Sequence, residues 1–251
     1  MQLLKRRPWL GTLSLPVVVI ALWVLITTTE VVDRNLFPSP GDLYAAFREI
    51  LGPKYYVSIY VTVYELLVAT GVFVVVSTLL GFLLGANQRL FRLTYGPIAT
   101  LFAMPKITVL PLFVILFGVA YSQKIMFGAL YGLFPLIMTI MASVRGIPEV
   151  YLNLMKSLGA SSRIKAYRLV IPSILPSFLN GLRIGFIYAG VGILLSEMYV
   201  SVSGLGQDIV SAVNRTTLDH FWVYVITASI VMLIGATLLQ VIESRFSGWR
   251  L

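Results

Sequence analysis

The sequence has no cysteine and only one histidine among its 251 residues. Disulfide frameworks, thiol nucleophiles, iron–sulfur clusters and thiolate zinc sites are excluded, because each requires side chains that the chain does not have. Charged residues are also scarce, at 12% of the chain against about 25% in an ordinary soluble domain. Hydrophobic residues make up 58%, and the mean hydropathy is +0.91. This composition excludes a soluble globular domain and indicates an integral membrane protein.

The charge that is present is mostly positive, with 19 basic residues against 10 acidic ones and a formal net charge of +9. The basic side chains occur in short clusters between apolar runs and form no stripe interleaved with aromatic residues, so nucleic acid is not a predicted partner. The segment from Gly204 to Gly206 is not a nucleotide-binding loop, because no strand precedes it and no lysine follows it. We therefore expect no cofactor, metal or catalytic residue in this chain.

Six apolar runs are long enough to cross the roughly 30 Å hydrocarbon core of a bilayer, which needs about 20 residues of helix. The first run is longer than the apolar part of a signal peptide and has no small-residue cleavage pattern, so we expect an uncleaved anchor helix. The third run contains Pro105 and Pro111, which should bend or break it because each proline removes a backbone donor. The predicted spans are residues 9–28, 57–87, 93–119, 124–143, 174–200 and 221–242.

The distribution of lysine and arginine predicts the orientation, because these residues favour cytoplasmic loops. With the N-terminus inside, twelve of them lie in cytoplasmic segments and five in external ones, so both termini are predicted to be cytoplasmic. The cytoplasmic set is Lys5, Arg6, Arg7, Arg89, Arg92, Arg145, Lys156, Arg163, Lys165, Arg168, Arg245 and Arg250, and the external set is Arg34, Arg48, Lys54, Lys124 and Arg215.

Two segments outside the spans have apolar residues at helical spacing. The external segment 29–56 predicts a short interfacial amphipathic helix. The cytoplasmic loop 145–176 predicts a helix that stops at Gly159, then a second helix that Ser161 or Ser162 caps and Pro172 ends. These apolar faces either dock on a partner or lie against lipid headgroups. They consist of Leu152, Met155 and Leu158 on the first helix, and Ile164, Tyr167 and Ile171 on the second.

The same loop carries a motif. The segment from Asn153 to Gly159, followed after nine residues by Leu169-Val-Ile-Pro172, resembles the EAA loop of ABC importer permeases, written E-A-A-x-x-x-G-x9-I-x-L-P. Further matching segments occur in the same order, and together they resemble the nitrate/sulfonate/taurine branch of the type I importer permeases. These segments are Leu36-Phe-Pro-Ser-Pro40, Pro105 to Gly118, Gly181-Leu-Arg183, Ser196-Glu197 and Ser203-Gly-Leu-Gly206.

The resemblance implies an all-α, MetI-like permease fold of six transmembrane helices. Residues 1–28 would be the N-terminal tail and first span, residues 29–56 an external loop, and residues 57–251 a core of five spans containing the coupling loop 145–176. The residues implied in coupling to an ATPase are Asn153, Leu154, Met155, Lys156, Ser157, Leu158, Gly159, Ala160, Leu169, Ile171 and Pro172.

The resemblance also implies a transport subunit of a bacterial inner membrane, and not an enzyme. Two cytoplasmic subunits would bind ATP and Mg²⁺, and a second permease subunit would complete a homodimer in the bilayer. A periplasmic or lipid-anchored binding protein would deliver a small solute, such as a sulfonate, a nitrate or an aromatic carboxylate.

The chain departs from the family pattern at two places. Asn153, Leu154 and Met155 replace the Glu-Ala-Ala of the motif, so the glutamate that could contact the ATPase is missing. Glu65 stands where related sequences often carry an arginine, and an acid there gives no support to a sulfonate or nitrate preference.

Four ionisable residues within the spans are candidates for the translocation path or its gate, because a charge in hydrocarbon costs several kcal/mol unless it faces protein or water. Lys106 lies between two prolines and could meet an anionic substrate; alternatively it snorkels or pairs with Glu65 or Glu197. Glu65 is either an interfacial or a pathway residue, and Glu197 either a gate or a polar helix end. Arg183 either has a pathway role, snorkels or pairs with another residue.

Two other functions remain as alternatives. An ion-coupled secondary transporter or channel would use Glu65 and Glu197 to carry protons or sodium, but it predicts paired broken helices, and only one span is interrupted. A membrane-embedded enzyme would need a metal cluster, a nucleophile–base pair or closely spaced carboxylates, and none is visible.

Overall fold

The computed structural model of the chain describes residue 18 and residues 21–29 and 36–246. The described residues form helices and no strand, which confirms the predicted all-α class. Most of the predicted first span lies outside the described residues; within it, residues 21–28 are helical. The remaining helices are α1 (Pro40–Ile50), α2 (Pro53–Ala86), α3 (Gln88–Ala103), α4 (Leu110–Phe117), α5 (Tyr121–Arg145), α6 (Glu149–Ser157), α7 (Ser162–Lys165), α8 (Ile171–Val200), α9 (Leu205–Asn214) and α10 (Leu218–Phe246).

Local sequence explains several of the helix starts and the one broken span. Ser39 caps α1, since its hydroxyl accepts from the Asp42 N–H (3.3 Å) while the Asp42 carboxylate accepts from the Ser39 N–H (3.0 Å). The predicted break at Pro105 is present: α3 ends at Ala103, a 3₁₀ turn covers Lys106–Val109, and the two halves of the span are bent by 88°. Four further helices of the described chain, counting Ser162–Val200 as one, are long and apolar enough to cross a membrane.

The prediction that Pro172 ends the second loop helix is wrong. The backbone passes from α7 through a π-turn, Ala166–Val170, directly into α8, and the Ile171 N–H donates to the Ala166 carbonyl five residues back. In a regular α-helix the Pro172 ring would clash with the carbonyl four residues earlier. The wider π-turn places Pro172 in the first turn of α8, where a missing N–H is tolerated.

The core lies where α2, α5 and α8 pack against one another. Gly132 and Gly185 face each other across α5 and α8, and a Cβ on either would come within 2.8 Å of the other's carbonyl oxygen. The buried ring of Phe73 fills the adjacent space. The absence of side chains at these glycines therefore allows three long helices to approach closely.

The bundle has two ends that differ in their segments. One end, called the Gly204 end, contains α1, the residues before Tyr121 and the loop 201–204. The opposite end, called the Gly159 end, contains the α2–α3 junction, Arg145 and residues 146–171. Most of the ionisable residues lie at one of these two ends.

Candidate functional site

The first candidate region is the segment 146–171, called the Gly159 loop. Helix α6 closes with two hydrogen bonds, from the Gly159 N–H to the Lys156 carbonyl (2.9 Å) and from the Ala160 N–H to the Met155 carbonyl (3.0 Å). Gly159 has φ +67°, a left-handed conformation that favours glycine. Ser161 then caps α7 by accepting from the Ile164 N–H (3.4 Å). The turn is therefore closed by local backbone bonds, and a Cβ at Gly159 would meet no atom within 4 Å.

The Gly159 loop presents apolar side chains to its surroundings. On α6 the exposed face matches the predicted one only at Leu158, because Leu152 and Met155 are half-buried. The other exposed apolar residues are Val150, Tyr151 and Leu154. Helix α6 is apolar on two sides, and spacing alone does not tell which side faces the bundle. In the part of the Gly159 loop that follows Gly159, the predicted apolar residues Ile164, Tyr167 and Ile171 are exposed. The exposed set is Val150, Tyr151, Leu154, Leu158, Ile164, Tyr167 and Ile171, with Val150 at 74% and Leu158 at 72%.

The other residues that the family motif marks divide between the surface and the bundle. Asn153, Lys156 and Ser157 are exposed on α6, whereas Ala160, Leu169 and Pro172 are half-buried. The Ser157 hydroxyl donates to the Asn153 backbone carbonyl (3.0 Å). The loop thus offers apolar contacts together with exposed polar groups.

The second candidate region is a buried charge cluster at the Gly204 end, formed by Glu65, Lys124 and Glu197. Lys124 is ion-paired with Glu65, and their side chains are 5% and 0% exposed. The Lys124 ammonium also donates to Ser201 Oγ (3.1 Å) and to the Ser203 carbonyl (3.4 Å). One lysine on α5 thereby connects α2 to the loop that follows α8.

Glu197 holds the same loop from the other side. Its carboxylate accepts from the Thr62 hydroxyl (2.7 Å) and from the Gly206 N–H (2.8 Å), and Thr62 in turn accepts from the Leu205 N–H (2.9 Å). Gly204 has φ +111°, and a Cβ there would overlap the Glu197 carboxylate. The cluster therefore joins α2, α5 and α8 to the start of α9 through buried polar contacts.

A cavity of about 100 Å³ lies beside this cluster, with Tyr121, Gln123, Lys124, Ser201 and Ser203 in its wall. Its volume is enough for about three water molecules. Gln123 is buried and accepts from the Ser196 hydroxyl (2.9 Å). The charge cluster is thus next to space that water can occupy, at the end of the bundle.

Lys106 does not pair with Glu65 or Glu197. Its ammonium donates to the Phe102 carbonyl (2.7 Å), at the end of α3. The rings of Phe102, Tyr131 and Phe134 lie 4.9, 5.4 and 5.4 Å from the nitrogen. Lys106 is 8% exposed, so the structure places it at the break in the span as a cation surrounded by aromatic rings.

Arg183 forms an ion pair near the Gly159 end. Its Nε lies 3.3 Å from Glu243 Oε2 on α10, and its Nη2 donates to Asn180 Oδ1 (3.1 Å). This geometry corresponds to the paired alternative considered for Arg183. It links α8 to α10.

Sequence reasoning missed Lys124 as a member of the site. Lys124 stands at the edge of a predicted span, where a charge is ordinarily external. In the structure α5 begins three residues earlier, at Tyr121, which carries Lys124 inside the bundle. One signal could have indicated Lys124. Glu65 is a carboxylate within a span and therefore needs a cation, and Lys124 as well as Lys106 could have supplied it.

Comparison with known proteins places these features in a family context. Residues 77–248 match the family described as binding-protein-dependent transport system inner membrane component. SsuC of Bacillus subtilis (strain 168), assigned by name to aliphatic sulfonate transport, is 25% identical over 98% of this chain and 90% of its own length. The taurine transport system permease protein TauC of Escherichia coli (strain K12) is 26% identical over 96% and 88%. The formylaminopyrimidine transport permease protein ThiX of Halalkalibacterium halodurans is 27% identical over 86% of each chain.

A solved structure of the MetNI methionine ABC transporter in inward-facing conformations has a similar fold. The TM-score is 0.57 at 19% sequence identity, and the match covers 82% of this chain and 96% of that one. This similarity confirms the predicted MetI-like fold. The family match over residues 77–248 confirms the description of the chain as a transport permease.

Proposed function

Because the chain belongs to the family of binding-protein-dependent transport system inner membrane components, we propose that two copies of it form the translocation path of an ABC importer for a small organic anion. A binding protein delivers the solute to the Gly204 end, and two ATPase subunits drive the change of access from the Gly159 end. The family is one of transport permeases and not of enzymes.

The charges at the two ends support this orientation. Lysine and arginine favour the cytoplasmic side of a membrane. Among the described residues, the Gly159 end carries Arg89, Arg92, Arg145, Lys156, Arg163, Lys165, Arg168 and Arg245, whereas the Gly204 end carries Arg48, Lys54, Lys124 and Arg215. This ratio of eight to four supports an orientation with the Gly159 end in the cytoplasm and the Gly204 end outside.

The observation that carries the proposal is the exposed apolar face of the Gly159 loop. Val150, Leu154 and Leu158 on α6 and Tyr167 beyond it are at least half exposed, although the loop projects toward water in the proposed orientation. Such a face is typical of a helix that lies in a groove on a partner. The partner is the ATPase, because this chain has no nucleotide-binding loop of its own. Movement of the docked loop reaches the membrane directly, since the π-turn Ala166–Val170 makes the loop continuous with α8.

The charge cluster serves as the gate at the outer end. Glu65, Lys124 and Glu197 hold three helices and the loop 201–206 together through contacts that water does not reach directly. Opening that end requires these contacts to separate or to move as one body. In this arrangement Lys124 engages Glu65, and both oxygens of Glu197 accept hydrogen bonds from the protein, which supports a structural role for the two carboxylates over an ion-coupled one.

An organic anion is supported by the names of two relatives, which refer to aliphatic sulfonates and taurine. Within this chain, Lys106 is the cation at the broken span, and an anionic solute could replace the Phe102 carbonyl as the acceptor of its ammonium. The aromatic rings around it suit a solute with an apolar part.

Copurification from gently solubilised native membranes tests the docking assignment. We expect wild type to retain an ATP-binding subunit and Leu154→Asp/Leu158→Asp to lose it, because two exposed apolar contacts are replaced by charge. Asn153→Asp adds charge on the same helix without removing an apolar side chain, and it should retain the subunit. Equal recovery from all three proteins, or recovery of the chain alone from wild type, contradicts the proposal.

A further inference from the structure

An unpaired basic pocket lies at the Gly159 end, apart from the Gly159 loop. It is formed by Arg89 and Arg92 on α3 and Arg145 at the end of α5. With its amide oxygen turned toward them, Gln88 accepts from Arg92 Nη2 (2.7 Å) and Arg145 Nη2 (3.2 Å). The two guanidinium nitrogens are therefore no more than 5.9 Å apart, with only a neutral amide between them.

No carboxylate in the described ranges neutralises this pocket. The ion pairs formed within residues 36–246 involve Lys54, Lys124, Arg183 and His220, and none of the three arginines. Each of the three arginines is exposed. Like charges at this separation repel, so an anion bound between them would stabilise the arrangement.

The surroundings of the pocket point to a lipid as the source of that anion. A cavity of about 630 Å³ is lined by Asn87, Gln88, Arg89, Arg92 and Leu93. Leu93 is 65% exposed in its wall, and Leu83, one helical turn before Asn87, is 62% exposed toward the middle of the span. A cationic pocket that continues into exposed aliphatic surface matches a phospholipid, whose phosphate would meet the arginines and whose acyl chains would cover the leucines.

We propose that Arg89, Arg92 and Arg145 form a binding site for the phosphate of an anionic phospholipid in the cytoplasmic leaflet. The placement in that leaflet rests on the proposed function, which orients the Gly159 end toward the cytoplasm. The lipid would lie at the α2–α3 junction and bridge α3 to α5. It would thereby hold α3, the cytoplasmic half of the broken span, against the bundle core.

Native mass spectrometry of the full-length chain, purified with its partners, tests this site. Phosphatidylglycerol should bind saturably, phosphatidylcholine weakly, and inorganic phosphate not measurably. Arg92→Gln/Arg145→Gln should weaken phosphatidylglycerol binding about tenfold to thirtyfold, since each basic group near a membrane surface contributes about fivefold at most. Arg48→Gln/Arg215→Gln removes the same charge at the other end and should leave binding unchanged.

The charge-preserving variant Arg92→Lys/Arg145→Lys should keep most of the lipid binding. It shows whether the glutamine variant loses binding through its lost charge or through misfolding. Equal binding by the glutamine variant and its control overturns the site, and so does inorganic phosphate binding as tightly as the lipid. Loss of the ATP-binding subunit from Arg92→Gln/Arg145→Gln with unchanged lipid binding also overturns it and assigns the pocket to protein contact. Absence of that subunit from wild type is a separate result, which counts against the proposed function and not against lipid binding.

Discussion

Replacing Lys124 by methionine removes the cation that the described residues bring into contact with the Glu65 carboxylate. Glu65 is fully buried, and water in the adjacent cavity of about 100 Å³ would compensate its charge less well than the lysine does. Removing one partner of a buried ion pair costs about 3–5 kcal/mol, because the other charge remains uncompensated. We expect Lys124→Met to lower the free energy of unfolding by this amount, which corresponds to a Tm about 6–20 °C lower for a chain of this length.

A second lysine in the same chain provides the matched control. Lys54 lies 3.2 Å from Asp208, but its side chain is 76% exposed. A pair of this kind contributes about 0–1 kcal/mol. Lys54→Met should therefore change the Tm by no more than about 4 °C.

Thermal unfolding in mild detergent, followed by size-exclusion chromatography of heated samples, measures both variants under one condition. The double variant Lys124→Met/Glu65→Gln removes the stranded charge and should recover most of the lost stability. The reasoning is refuted if Lys124→Met unfolds at the temperature of Lys54→Met, or if the double variant is no more stable than Lys124→Met.

Three further substitutions give distinct outcomes. Gly204→Ala should cost at least about 2 kcal/mol in thermal unfolding, because φ is +111° and the new Cβ overlaps the Glu197 carboxylate; a Tm equal to wild type would show that the loop is not held by Glu197. Gly159→Ala should cost only about 1 kcal/mol from its left-handed backbone, and it should copurify with the ATP-binding subunit like wild type, since no atom lies within 4 Å of the new Cβ. Lys106→Met should cost about 1 kcal/mol for the lost bond to Phe102, and solute uptake should fall at least about tenfold; unchanged uptake would remove Lys106 from the path.

Much of the fold was predictable because membrane spans depend on local composition. The apolar runs located the long helices. Pro105 located the broken span, because a proline lacks the backbone N–H that a helix needs and interrupts the helix at its own position. Gly159 was predicted as a helix stop for the same local reason, and the structure gives it a left-handed backbone. The family resemblance, carried by ordered motifs, is confirmed by the match over residues 77–248.

Features that depend on tertiary contact were not predictable in the same way. Nothing local indicates that Glu65 on α2 meets Lys124 on α5, or that Lys106 turns to the Phe102 carbonyl instead of a glutamate. The course of the chain through Pro172 depends on a π-turn, whose hydrogen-bond pattern has no simple sequence signal. The outward side of α6 was predicted correctly only at Leu158, while Leu152 and Met155 are half-buried. Both sides of this helix are apolar, and packing decides which one is covered.

Reconstitution into liposomes tests the importer function most directly. The chain, its copurified ATP-binding subunit and its binding protein are placed in vesicles, and accumulation of a labelled alkanesulfonate is measured with ATP supplied on the side of the Gly159 loop. We expect accumulation that requires ATP and the binding protein, is lost in Leu154→Asp/Leu158→Asp and is retained in Asn153→Asp. Accumulation driven by an ion gradient alone, without ATP or the ATP-binding subunit, would contradict the proposed function and direct attention to Glu65 and Glu197 as ion carriers.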